Sequence, residues 1–136
     1  MGGASYPGPM PLEVNRPDVV AAISAVFERY EAALVANDVD TLDELFWDSP
    51  HVVRFGLADR QQGFAEVSAF RRSLDRQTSP RELRNTVVTT IGADVALVTT
   101  EFVPVGEAIV GRQSQTWLRI DGEWRIVTAH VSWRPS

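Results

Sequence analysis

The hydrophobic period of this chain changes once, near residue 80, and that change limits the folds open to it. From Asn15 to Gln77 apolar residues recur at three- and four-residue spacing, the repeat of amphipathic helices. From Glu82 to Trp133 the repeat is two, the alternation of half-buried strands. Helices first and a meander afterwards predict an α+β domain, with a curved antiparallel sheet packed on three N-terminal helices and a cone-shaped cavity between them. At 136 residues one core suffices without disulfides or a structural metal, in keeping with the absence of cysteine.

Residues 1–14, rich in Gly and Pro at their start, read as a flexible arm or an expression remnant ahead of a single domain over 15–136. Asn15 is available as a helix cap, Pro17 fits the first turn and Asp18 suits the positive helix end. The first helix carries the stripe Val19, Ile23, Val26, Phe27, Tyr30, Ala33 and Leu34. A shorter second helix, with Asp40 as its cap, buries Leu42, Leu45, Phe46 and Trp47 before Pro50 stops it. Residues 52–56 read as a short strand. A third helix over 64–77 has the stripe Phe64, Val67, Phe70, Arg71 and Leu74, with an arginine where the period asks for a hydrophobe. Three β-rich runs follow, with turn signals at 92–94, near Gly106, and at Asp121-Gly122.

Missing residue types exclude whole chemistries. All thirteen basic residues are arginine, so a Schiff-base lysine, a P-loop lysine and every cysteine nucleophile are out. Only His51 and His130 are available to a metal, without ligand spacing, so neither metal nor cofactor is expected. The formal net charge of −5 argues against nucleic acid and acidic membrane surfaces as partners. No apolar run approaches the roughly 20 residues that cross a bilayer, which makes the cytoplasm the default location.

Three residues stand out by their placement. Tyr30 lies on a buried stripe, where a tyrosine is ordinarily a core aromatic, yet its phenol can also donate a proton at neutral pH. Arg54 alternates with apolar neighbours in a strand, so its charge needs either a carboxylate (Glu28, Glu44 or Asp48) or a ligand anion clamped in bidentate fashion. Arg71 poses the same question, against Glu66 or Asp75. A two-residue turn at Asp121-Gly122 sets Trp117 opposite Ile126 and Gln113 opposite His130. One face then gathers Gln113, Gln115, Trp117, Thr128, His130 and Ser132, the groups a polar pocket would use. His51 suits a solvated or gating role, and His130 is as consistent with a structural histidine as with a working one. Trp47, Trp117, Trp124 and Trp133 suit core and interface.

The segments Tyr30-Glu31-x-Ala33-Leu34, Leu45-Phe46-Trp47-x-Ser49-Pro50, Arg54-Phe55-Gly56 and Ala69-Phe70-Arg71 carry a resemblance. Gly111-Arg112-Gln113-Ser114-Gln115-Thr116-Trp117 and the run from Trp124 to Ser132 extend it over residues 15–134. The chain resembles the HpxZ/AtzH-like family of the NTF2-like (SnoaL-like) superfamily, found with oxalurate and cyanuric acid breakdown. The resemblance implies a cone-shaped α+β barrel that forms homodimers through its sheet. It also implies cofactor-free decarboxylating hydrolysis of 1,3-dicarboxyurea, or a related ureido carboxylate, to allophanate and carbon dioxide. Tyr30 and Arg54 align with the catalytic pair of the cyanuric acid branch, and a dianionic substrate would make Arg71 a candidate for the second carboxylate. Gln113, Gln115, Trp117, His130 and Ser132 are the further expected binding residues. Two other readings stand beside this one: an accessory protein of an amidase pathway, and an isomerase or dehydratase using Glu101 or His130 as base.

Overall fold

The computed structural model describes residues 11–74 and 79–135. Three helices, α1 (Pro17–Ala36), α2 (Val39–Leu45) and α3 (Phe64–Ser73), pack on one six-stranded sheet. Its strands are β1 (Val53–Phe55), β2 (Arg60–Gln62), β3 (Arg81–Ile91), β4 (Val95–Pro104), β5 (Gly111–Ile120) and β6 (Glu123–Trp133), in the order β2-β1-β6-β5-β4-β3. The α+β expectation stands, with two refinements. Four long strands, not three, follow the helices, and the sheet is mixed because β1 runs parallel to β6.

The α1 stripe faces the sheet as its period requires, burying Val19, Ile23, Phe27, Tyr30, Ala33 and Leu34. Its first turn differs from expectation. Arg16 holds the N-cap position, while Asn15 adopts positive φ and accepts a hydrogen bond from the Thr90 amide at 2.8 Å. Val14 bridges Ile91 and the Glu13 carbonyl accepts from Gly92, so this part of the expected arm is tied to the edge strand β3. Residues 1–10 lie outside the described residues. The α2 cap is Asp38, whose carboxylate takes the Thr41 amide, because Asn37 in the left-handed conformation closes α1 immediately before it. The third helix ends at Ser73; residues 75–77 of its expected span lie outside the described residues.

The Asp121-Gly122 turn has both residues at positive φ and sets the first pairs of the hairpin, Ile120 with Glu123 and Trp117 with Ile126. A bulge then intervenes. Thr116 pairs with Thr128, leaving Val127 as the extra residue, so beyond it Ala129 and Val131 turn inward while Thr128, His130 and Ser132 turn out. Gln113 consequently pairs with Val131, not with His130. One inserted residue exchanges the faces of half a strand.

Trp117 is fully buried at the centre of the core, beside Ile126, Phe46 and Leu45. Near the open end of the sheet the packing is tighter still. A Cβ at Gly111 would overlap the buried Phe102 ring across the β4–β5 ladder. Gly111→Ala is therefore expected to cost about 1–3 kcal/mol in urea unfolding, an overpacking penalty absent if the Phe102 ring can move aside freely.

Candidate active site

A cavity of ≈ 550 Å³ opens between α1, α3, the β1–β2 turn and the inner face of the long strands. Its wall brings together Tyr30 from α1, Arg54 from β1, Asp59 from the turn, Arg71 from α3, and Arg81 and Gln113 from the sheet. Leu34, Phe70, Phe102, Val131 and Trp133 supply apolar wall between them.

Arg54 is 8% exposed. The carboxylate that meets it is none of those expected from sequence but Asp59, five residues on, which the β1–β2 hairpin folds back at 2.6 Å from Nη1. The same Nη1 donates to Gln61 Oε1 at 2.8 Å, and Gln61 Nε2 donates to Asp59 at 2.9 Å, closing a three-membered ring of contacts. Phe70 lies under the guanidinium, 4.9 Å from centroid to Cζ. Partial burial works against the Asp59 charge, but hydrogen bonds from Gln61 and Arg54, with the Arg54 charge, prevail and hold its carboxyl below the ordinary carboxylate range.

Tyr30 is fixed by aromatic packing. Trp117 meets its ring edge-on at 6.2 Å, and Phe27 and Phe46 flank it. Its hydroxyl lies beside Arg71, which is 4% exposed and whose Nε is buried without a hydrogen-bond partner among the described residues. Burial pushes the Arg71 guanidinium below its ordinary pKa; Tyr30 and, more weakly, the Asp59 charge favour its cation, and the nearby Arg54 charge opposes it. Glu66, the described candidate for an ion pair with Arg71, instead accepts the Gln62 amide at 3.0 Å, while Asp75 lies outside the described residues. Arg72 points outward to Asp40 and Asp43, as its position one residue along the helix dictates.

The sequence reading missed Arg81. Its Nε and Nη2 bind both oxygens of Glu31 at 3.1 and 2.6 Å, and Nη2 also donates to Gln113 Oε1 at 2.9 Å. The Arg81 and Glu31 side chains are 7% and 13% exposed, and Phe102 stacks on the guanidinium at 4.3 Å. Glu31, four residues beyond Phe27, is a charge at the edge of an apolar stripe, the same signal that singled out Arg71.

The remaining expected site residues are placed otherwise. Gln115 and Trp117 are buried beneath the cavity, joined by a 3.0 Å bond from Trp117 Nε1 to Gln115 Oε1. His130 and Ser132 are exposed on the opposite face of the sheet, where the bulge sends them; His130 stacks near Phe55. His51 lies by Trp47, away from the cavity wall. Glu101, the alternative base, is also on the outer face, its carboxyl held below the ordinary range by hydrogen bonds from Asn85 and Arg112. Among the described residues no three His, Asp or Glu side chains cluster as a metal site needs, and no helix is long and apolar enough to cross a membrane.

The model of the AtzH-like family matches residues 12–136. The chain belongs to the AtzH-like family. Similar solved structures include a protein of unknown function from Pectobacterium atrosepticum SCRI1043, 48% identical, covering 90% of this chain and 95% of that one, with a TM-score of 0.86. Another is a cystatin-like fold protein from Burkholderia xenovorans LB400, 44% identical over 93% of this chain and 99% of that one, with a TM-score of 0.87. An NTF2-like protein from Pseudomonas putida KT2440, 20% identical over 86% of this chain and 87% of that one, with a TM-score of 0.73, shows the NTF2-like fold that this AtzH-like chain shares. No curated protein matches the sequence.

The two kinds of buried arginine should respond oppositely to removal of charge. Arg81→Met strands Glu31 and is expected to lower the unfolding free energy by about 3–5 kcal/mol, whereas Arg71→Met removes a buried charge that has no ion pair among the described residues and should raise it by about 1 kcal/mol or more. Equal destabilisation by both in urea titrations would mean that Arg71 has a counter-charge in the folded protein. Asp59, with its depressed folded pKa, stabilises the protein above the ordinary carboxyl value of about 4, and that contribution is lost as pH falls through the folded value. The stability advantage of wild type over Asp59→Asn should therefore shrink between about pH 5 and pH 2, followed by chemical denaturation at each pH.

Proposed function

We propose that this chain is a cofactor-independent decarboxylating amidohydrolase that acts on 1,3-dicarboxyurea, or a closely related ureido carboxylate, to give allophanate and carbon dioxide. The observation that carries the reading is a phenol and two guanidinium groups, those of Tyr30, Arg54 and Arg71, on one cavity wall, with the Arg71 Nε buried and unpaired among the described residues. A buried donor without a partner is costly unless a ligand completes it, and a carboxylate fits a guanidinium best. Membership of the AtzH-like family supports the same substrate class.

The chemistry asked of these residues is modest. When the nitrogen–carboxylate bond breaks, carbon dioxide leaves and the bonding pair falls to nitrogen, delocalised onto the urea carbonyl. A guanidinium at that oxygen stabilises the developing charge, and Tyr30 delivers the proton that nitrogen needs, water restoring it to the phenolate. The departing carboxylate loses its charge in this step. A cation clamped on it contributes to binding and not to rate, while a cation that also reaches the carbonyl stabilises the developing charge.

A second reading, an accessory protein of an amidase pathway, draws on the apolar side chains exposed on the sheet, Phe55 and Leu97 among them. That surface also suits the homodimer implied by the resemblance. The isomerase or dehydratase reading loses both of its candidate bases, because Glu101 and His130 face away from the cavity.

The deciding experiment follows carbon dioxide and allophanate release from 1,3-dicarboxyurea by the wild type, Tyr30→Phe and Arg54→Ala, each shown to be folded by circular dichroism. Removal of either group is expected to lower kcat by about 10²-fold or more. Absence of turnover by the wild type would exclude this substrate, and full activity in Tyr30→Phe would exclude the phenol as proton donor.

A further inference from the structure

We propose that Asp59 is a resident counter-carboxylate that sets how many negative charges the cavity accepts: with Asp59 on Arg54 the site takes one carboxylate, and a dicarboxylate enters only by displacing it. This deepens the preceding reading, since it rests on small carboxylates being the ligands.

The charge inventory is uneven. Among the described residues, three largely buried arginines of the cavity wall, Arg54, Arg71 and Arg81, have two carboxylates within ion-pair distance, Asp59 on the wall and Glu31 behind it, while the exposed wall residue Glu107 pairs with none of them. Arg71 is the one left over. A single carboxylate bound there balances the buried charges; a second must find its cation at Arg54 or Arg81, both already engaged.

The two engaged pairs differ in how firmly they are held. Glu31 binds Arg81 through two guanidinium nitrogens, shares Gln113 with it, and stands on a 20-residue helix. Asp59 reaches only Nη1 of Arg54, from a turn closed by the Gly56 amide on its own carbonyl at 2.9 Å, and its side chain is 29% exposed. Of the two carboxylates, Asp59 is the one with somewhere to go.

Its seat is nonetheless built. A Cβ at residue 56 would overlap the Asp59 carboxylate, so Gly56 is what lets the turn bring that group to Arg54. Arg54 Nη1 and Gln61 Nε2 both aim at Asp59 Oδ2. An incoming carboxylate oxygen in the same place would inherit both donors, making the exchange nearly even in hydrogen bonds. Asp59 would meanwhile turn toward water, where an ionised carboxylate is well solvated.

The test uses unreactive ligands, so it does not depend on turnover. Glutarate matches 1,3-dicarboxyurea in chain length with two carboxylates, and pentanoate is its counterpart with one. Both are titrated by calorimetry into the wild type and the isosteric Asp59→Asn. The variant should bind glutarate at least about tenfold more tightly while pentanoate affinity stays within about threefold. An unchanged glutarate-to-pentanoate ratio overturns the proposal, as does equal tightening of both, which would place the first carboxylate at Arg54. A crystal structure of the wild type grown with glutarate gives a check that needs no variant: a glutarate carboxylate on Arg54 with Asp59 turned away is expected, and Asp59 still on Nη1 refutes the exchange. Loss of the hydrolase reading would leave these binding outcomes intact, and failure of the exchange would leave turnover untouched.

Discussion

Buried guanidinium charge is the constraint around which this domain is organised. A lone charge taken from water into a protein interior costs several kcal/mol, and a 136-residue domain has little stability to spend on it. The fold meets the cost of Arg81 with Glu31, and that of Arg54 with Asp59 and Gln61. For Arg71 it offers, among the described residues, the Tyr30 hydroxyl and the weaker influence of the Asp59 charge, with no ion pair of its own. The aromatic rings over Arg54 and Arg81 extend the same solution, since a ring face accepts positive charge without demanding the geometry of a hydrogen bond. Among the described residues, the buried guanidinium nitrogen left without an acceptor is the Arg71 Nε, beside Tyr30 of the cavity wall.

The rigidity of that phenol comes from elsewhere in the core. Trp117, fully buried, sets the Tyr30 ring edge-on and is itself anchored by Gln115 on the same strand face. The bulge at Val127 lets β5 keep its polar residues inward while β6 switches to Ala129 and Val131. Without that insertion His130 and Ser132 would point into the cavity and Ala129 away from the core. The bulge therefore decides that the site is an arginine and tyrosine site and not a histidine one.

The parts of this arrangement legible in the sequence were those governed by local period. The α1 stripe placed Tyr30 inward, the α3 stripe placed Arg71 inward and Arg72 outward, and alternation around Arg54 marked it as buried. What stayed hidden depends on contacts between distant segments or on single-residue insertions. A tight turn fixes register only until the first bulge, and nothing in the run from Trp124 to Ser132 announces one. Arg81 begins a strand with no pattern before it, and its partner Glu31 is fifty residues away. Asp59 carries no mark in the sequence, because the chain folds back on Arg54 within five residues through a short hairpin that periodicity does not reveal.

The absence of lysine acquires a meaning in this light. A buried ammonium gives up its proton readily, its pKa dropping by several units when desolvated, and a second cation nearby deepens the drop. At Arg71 both conditions hold, since burial and the Arg54 charge act together. A lysine there would hold its proton less firmly and present its charge to an anion less reliably. Guanidinium, with its far higher intrinsic pKa and delocalised charge, tolerates the same surroundings and stays cationic. A cavity that must hold positive charge close together, dry and ready for a carboxylate is one that only arginine can line.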